Sequence, residues 1–251
     1  MHIDIHEDQL AAVRSLAGSI AEGIRQAARE GRHYVLGLAT GASPIGLYEE
    51  LIRLHRSEGL SFAGVVTFNL DEYYGLPPED PNSYHEFMRS RFFSQVDLPL
   101  DQTHLPGGLV ARDQVQHHCD AYEAMIDEAG GIDLQILGIG RTGHIGFNEP
   151  PSPKDSRTRL VTLDPVTRID AAPAFSGLDH VPTEAITMGV STILRSRRIV
   201  LMAWGERKAE IVRKALHDPA GPELPASFLR DHSDVTFLLD QAAASRLEAQ
   251  T

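Results

Sequence analysis

A single cysteine, Cys119, stands in 251 residues, so no intrachain disulfide can form and the composition suits a reducing compartment. Lysine is nearly as scarce, at Lys154, Lys208 and Lys214, and 23 Lys plus Arg face 35 Asp plus Glu, a formal net charge of -12. That balance opposes sequence-independent attraction to polynucleotide phosphates, so no nucleic-acid partner is expected. No apolar run approaches the roughly 18 residues of a membrane span. Met1 to Asp8 carries neither a basic nor an apolar leader segment. The expectation is a cytoplasmic protein with no membrane partner. A small anionic ligand stays open, because a few backbone amides and cations can bind one locally inside an acidic protein.

The chain is 42% hydrophobic and 23% charged, near the averages of globular proteins, which removes collagen-like, coiled-coil and disordered classes. Short continuous apolar runs occur at Val35–Ala39, Val65–Leu70, Leu134–Ile139, Ile199–Trp204 and Val235–Leu239, the character of strands buried on both faces of a parallel sheet. Helix-period segments lie between them: Asp8–Arg29, the stretch with Leu47, Leu51 and Leu54, Ser83–Phe93, Arg112–Ala129, Lys208–Leu216 and Gln241–Leu247. The alternation predicts an α/β fold: a doubly wound, mostly parallel Rossmann-like sheet with helices on both faces, residues 1–251 forming a single domain. The one compositional break is 150–182, with six prolines. It reads either as an irregular surface excursion or as a lid.

Ligands of open parallel sheets bind beyond the carboxyl ends of the strands, so the residues after each apolar run are the place to seek chemistry. After the first comes Thr40-Gly41-Ala42-Ser43-Pro44. Ser43 can cap a helix with Pro44 at its first position, and the free amides with the helix dipole make an anion site. This turn lacks the spacing of a nucleotide P-loop or a dinucleotide fingerprint, so a single phosphate fits it better than a nucleotide; an ordinary capped helix is the plain alternative. After the second run stand Asp71 and Glu72, adjacent carboxylates that point to different sides of the chain and so should have separate jobs, unless they are merely a solvated acidic turn. After the third comes Gly138-Ile139-Gly140-Arg141-Thr142-Gly143-His144-Ile145-Gly146-Phe147-Asn148-Glu149-Pro150. Four glycines in nine residues let a backbone approach a ligand, and His144 with Glu149 five residues on can form an acid/base and its orienting partner. A metal held by His144, Glu149 and Asp71 is disfavoured, since H-E-x-x-H and the Cys/His spacings are missing. The pair His117-His118 beside Cys119 sits in a helical segment, where consecutive side chains diverge. Lys208, after the fourth run, can supply a point charge to a phosphate or be a solvated helix lysine.

In order along nearly the whole chain, Leu38–Pro44, Phe68–Tyr73, Pro81–Tyr84, Gly143–Pro150, Ser156–Arg159 and Ala185–Val190 resemble the glucosamine-6-phosphate deaminase (isomerase) family. The related 6-phosphogluconolactonases share a glycine-flanked histidine but typically continue Thr-Ala-Ser-Leu-Phe-Pro, which is absent here. The resemblance implies conversion of an amino-sugar phosphate to fructose 6-phosphate and ammonia, with no metal or organic cofactor. It implies Asp71 as the base that moves a proton between carbons 2 and 1, and His144 with Glu149 as the groups that open the sugar ring. Thr40, Gly41, Ala42, Ser43 and Lys208 are then expected on the phosphate, with Glu72 part of the site's structure. Two departures stand out. Many members have an aspartate where this chain has Thr142, and an arginine where it has Ala172-Pro173-Ala174; Arg159 or Arg168 are the expected substitutes. A lactonase-type hydrolase and a non-catalytic sugar-phosphate sensor are the competing readings. Sequence reasoning leaves the amino-sugar epimer, an allosteric site, and the choice between monomer and homo-oligomer open.

Overall fold

The computed structural model describes residues 1–247. In chain order the first half carries β1 (His2–His6), α1 (Gln9–Arg29), β2 (Tyr34–Leu38), α2 (Ile45–Glu58), β3 (Val65–Asn69), β4 (Asp71–Tyr73), α3 (Tyr84–Arg91), β5 (Thr103–His104) and α4 (Val115–Glu128). The second carries β6 (Leu134–Leu137), β7 (Arg159–Thr162), α5 (Pro165–Ala171), β8 (Glu184–Thr187), α6 (Val190–Leu194), β9 (Arg198–Ala203), α7 (Ala209–His217) and β10 (Val235–Asp240).

Seven strands form one parallel sheet in the order β1-β10-β9-β6-β2-β3-β5. From β2 the chain builds outward through β3 to β5, then returns and builds the other way from β6 through β9 and β10. The direction therefore switches between β2 and β6. Crossover connections leave a crevice at such a switch, beyond the carboxyl ends of the two strands. Helices cover both faces, as the alternating sequence predicts. On one face Leu16 and Ile20 of α1, Leu47 and Leu51 of α2 and Met88 of α3 pack on Leu36, Leu38 and Ile136. On the other, Tyr122 and Ile126 of α4, Ile193 of α6 and Val212 of α7 pack on Val35, Phe68, Leu137 and Leu201. The amphipathic run of α1 starts where Asp8 accepts from the Ala11 amide at 2.8 Å, satisfying one of the amides that a helix start leaves unpaired.

A second, antiparallel sheet, β4-β8-β7, was not legible in the apolar runs. Only Leu70 separates it from β3. The Leu70 amide donates to the Leu38 carbonyl at 3.0 Å, and its carbonyl accepts from the Met188 amide at 2.7 Å, so one residue is bonded into both sheets. Asp71 is thereby fixed at the carboxyl edge of the large sheet. The small sheet has its own apolar cluster, in which Tyr73, Phe147, Leu163, Phe175, Val181 and Ala185 are buried. Segment 150–182 supplies β7 and α5, the latter begun by Asp164 accepting from the Val166 amide at 2.7 Å with Pro165 in its first turn.

The helix expected over Gln241–Leu247 does not form; these residues are a succession of turns. The Ala243 amide is captured by the Asp240 carboxylate at 2.7 Å, and Ser245 and Leu247 bond three residues back rather than four. Seven residues give too few helical bonds to offset nucleation when a side chain competes for the first amides.

Candidate active site

The crevice between β2 and β6 holds a cavity of about 160 Å³ lined by Ala39, Thr40 and Ser43 after β2, Leu70 and Asp71 after β3, and Gly138, Ile139, Gly140, His144, Gly146 and Phe147 after β6, with Tyr84 of α3. Three strand ends singled out in the sequence thus converge on one space, with Asp71 and His144 both on its wall.

Asp71 is 5% exposed. Burial, and then the neighbouring negative charge of Glu72, push its carboxyl well above the usual carboxylate range, while the Phe147 amide pulls the other way. A carboxylate lifted toward neutrality is a stronger base once ionised, which suits abstraction of a proton from carbon. Glu72 faces away from the cavity. Its two oxygens accept from the amides of Tyr73, Tyr84 and His85 at 2.8–3.0 Å and contact His85 Nδ1 at 2.8 Å. It therefore receives the start of α3, where the helix dipole favours an anion, and so places Tyr84 on the cavity. The two adjacent acids do have separate surroundings, as their opposite directions along a strand require.

The loop after β6 spells G-x-G-x-x-G through Gly138, Gly140 and Gly143, yet it opens no helix and continues in turns. Its glycines make room instead. A Cβ on Gly140 would fall 2.1 Å from His144 Nε2, so the imidazole lies directly on that backbone. A Cβ on Gly146, whose φ is +56°, would sit 3.2 Å from Asp71 Oδ2 and 2.9 Å from Thr187 Oγ1, which brings the histidine loop against the aspartate. His144 Nδ1 is 2.9 Å from Glu149 Oε2, and Thr142 Oγ1 lies 2.9 Å from the same nitrogen and 3.2 Å from the same carboxylate oxygen. Burial raises the Glu149 pKa, but the neighbouring His144 ring and its charge, with smaller help from the Thr142 hydroxyl, bring it below the ordinary value. It stays an anion beside the imidazole.

The loop after β2 differs from expectation at its cap. Helix α2 begins at Ile45 with Pro44 in the cap position and no side-chain cap bond, so the Ser43 hydroxyl is not spent on the helix. It faces the cavity, and the first-turn amides of a 14-residue helix remain donors pointing toward it. Gly41 turns this loop with φ +87°, Ala42 is exposed beside it, and the Trp204 indole donates to the Ser43 carbonyl at 2.9 Å to pin the loop from β9.

The remaining cations lie at different removes. Lys208 Nζ donates to the carbonyl of Ile139, a lining residue, at 2.7 Å. Burial lowers its pKa; nearby Asp170 opposes this and Arg141 adds to it. Arg159 stands behind the histidine loop: its guanidinium donates to Asn148 Oδ1 at 2.8 Å and to Ser152 Oγ at 3.2 Å. Asn148 in turn donates to the carbonyls of Ile145 and Met188, both at 2.8 Å, so Arg159 buttresses the turn that carries His144 toward Glu149. Arg168 donates to the Leu178 and Val181 carbonyls at 3.1 and 3.0 Å and so ties α5 to the chain that follows it. Arg141 extends from the histidine loop to Asp170 of α5 at 2.9 Å. Tyr84, Asn148 and Trp204 were not singled out from sequence. The first two lie inside motif stretches, but only the fold gives them neighbours.

A family model described as glucosamine-6-phosphate isomerases/6-phosphogluconolactonase matches residues 7–238. A glucosamine-6-phosphate deaminase of Rhodopirellula baltica is 48% identical over 248 residues, 99% of this chain and 96% of that protein. Glucosamine-6-phosphate deaminase 1 of Bacillus subtilis is 51% identical over 211 residues, 84% of this chain and 86% of that protein. The solved structure of a monomeric glucosamine-6-phosphate deaminase superposes with a TM-score of 0.93 at 45% identity, covering 98% of this chain and 100% of that one. A 6-phosphogluconolactonase from Trypanosoma brucei shares the fold, with a TM-score of 0.78 at 20% identity over 98% of each chain.

Proposed function

This chain belongs to the glucosamine-6-phosphate isomerase/6-phosphogluconolactonase family, and we propose that it converts glucosamine 6-phosphate and water to fructose 6-phosphate and ammonia. The observation that carries the reading is the meeting of Asp71, His144 and the Thr40–Ser43 turn around one small cavity.

The phosphate lies against the Thr40-Gly41-Ala42-Ser43 amides and the Ser43 hydroxyl at the start of α2, with Lys208 adding positive charge from behind Ile139. Holding this remote group sets the reacting carbons against Asp71. His144, oriented by Glu149, takes the anomeric hydroxyl proton on Nε2 and passes it to the ring oxygen, which opens the pyranose. Opening has to come first, because only the open chain has a carbonyl that can take up the electron pair left when carbon 2 is deprotonated. Asp71 takes the carbon 2 proton and delivers it to carbon 1; the electron pair moves through an enolamine, O1 gains the proton that the amino nitrogen gives up as it becomes an imine at carbon 2, and water adds there and displaces ammonia. No step calls on a metal or organic cofactor. The lone buried Cys119 agrees with a cytoplasmic enzyme.

Coupled ammonia detection with glucosamine 6-phosphate and its galacto epimer tests this directly. Turnover is expected from the wild type, with Asp71→Asn slower by roughly 10² to 10⁴ while sugar phosphate still binds. Hydrolysis of 6-phosphogluconolactone without ammonia release would replace this reading with a lactonase. Thermal stabilisation by the sugar phosphate with no turnover would replace it with a sensor.

A further inference from the structure

We propose that the Thr142 hydroxyl is a positioning residue for His144, completing a one-carboxylate junction that keeps the imidazole proton on Nδ1 and leaves Nε2 as the nitrogen that meets the sugar. The inference deepens the deaminase reading, since it concerns how the same histidine is prepared for ring opening.

Three groups meet at one point: His144 Nδ1, Glu149 Oε2 and Thr142 Oγ1, separated by 2.9, 2.9 and 3.2 Å. Their donors and acceptors admit one consistent assignment. Glu149 is an anion that only accepts, so a nitrogen 2.9 Å from it must carry a proton. With Nδ1 a donor, the hydroxyl cannot donate to the ring and must accept from it. Its own hydrogen then has Glu149 Oε2 as its acceptor. The hydroxyl thus takes from the imidazole and gives to the carboxylate, and each bond favours the other. The neutral ring is left with its lone pair on Nε2, on the edge that lies against Gly140 at the cavity wall.

A valine at this position would leave Nδ1 with only its close contact to Glu149 Oε2, and would deprive the buried Glu149 of a donor when its other oxygen, Oε1, already has no partner among the described residues. The titratable groups around the ring are Glu149 on its own loop, Asp71 of β4 and Tyr84 of α3 across the cavity, and Lys208 behind Ile139. Of these titratable groups, among the described residues, only Glu149 comes within ion-pair distance of it. The ring thus has one negative charge and one hydroxyl dipole beside Nδ1.

The test combines steady-state kinetics against pH with imidazole ¹⁵N shifts of the wild type, T142V, T142S and T142D, using His144→Gln to assign the resonances. The wild type should show a protonated Nδ1 and an unprotonated Nε2. T142V should lose about 10-fold in kcat with KM within about twofold, the worth of one hydrogen bond to a charged pair, and its ring nitrogens should show mixed tautomers. T142S should restore most of the turnover, and T142D, which again offers Nδ1 an acceptor, should keep the proton on Nδ1. A wild-type proton on Nε2, or a T142V enzyme with unchanged kcat, pH profile and nitrogen shifts, would overturn the proposal. Should the wild type release no ammonia, the deaminase reading falls, while the nitrogen shifts still decide the role of Thr142.

Discussion

At the scale of single residues, the adjacent acids Asp71 and Glu72 show how position along a strand divides labour. Asp71 is left without a cation in a buried cavity wall and is pushed up; Glu72, one residue on, is surrounded by three amides and an imidazole. The negative charge of Glu72 is itself one of the causes that raise Asp71. Replacing Glu72 with Gln should therefore act in two places at once. It removes that charge, so the acid limb of the pH–rate profile, where Asp71 becomes protonated and useless as a base, should move to lower pH. It also turns a carboxamide NH₂ toward buried donors, costing about 1–3 kcal/mol of stability. A profile whose acid limb stays in place would mean that Asp71 does not feel Glu72.

At the scale of elements, the Thr40–Ser43 turn is held by neighbours rather than by its own cap. Helix α2 lacks a side-chain cap bond, and the Ser43 carbonyl is fixed by the Trp204 indole across the sheet switch. Trp204→Phe keeps most of the packing and deletes that one donor. The expected result is a KM for the sugar phosphate higher by roughly 2- to 10-fold, the range of one hydrogen bond, with kcat little changed. Kinetics with glucosamine 6-phosphate, alongside competition by inorganic phosphate, would check it: an equal loss in kcat would place the tryptophan in the chemistry instead. On the opposite side of the cavity, the Arg159–Asn148 bond supports the histidine turn in the same manner, from a strand of the small sheet.

At the scale of the whole molecule, the site carries a stability cost whose sign can be worked out. The folded-state pKa of Asp71 lies above the unfolded value of about 3.9, so the native protein holds that proton more tightly than the unfolded chain. The penalty for ionising it is absent below the unfolded pKa, grows as pH rises through the window up to the raised one, and is constant above that. Asp71→Asn removes the penalty. Its Tm should exceed that of the wild type by a few degrees at pH 8 and match it near pH 4; equal Tm values at both pH values would contradict the burial argument. How much of this architecture the sequence makes legible follows from burial. Runs such as Ile199–Trp204 announce themselves because both faces of their strands are covered. Strand β1 at the sheet edge, with His2, Asp4 and His6, and the two-residue β5 have no such pattern. The small sheet was illegible because β4 is three residues long and reads as an acidic turn, while β7 lies in a proline-rich stretch. The strand-end residues of the site were legible as chemistry. The supporting bonds of Asn148, Trp204 and Arg159 depend on contacts between distant segments, which local pattern cannot supply.

The single residue, Leu70, that joins the two sheets makes it a matter of counting which of two acids lines the cavity. Side chains alternate along an extended chain, so inserting one amino acid after Leu70 would send the first carboxylate to the side of α3 and turn the second to the side of the cavity. Deletions and insertions elsewhere in the loops change lengths; at this junction they would exchange two acids that differ by one methylene, and with them the reach of the carboxyl group on the cavity side.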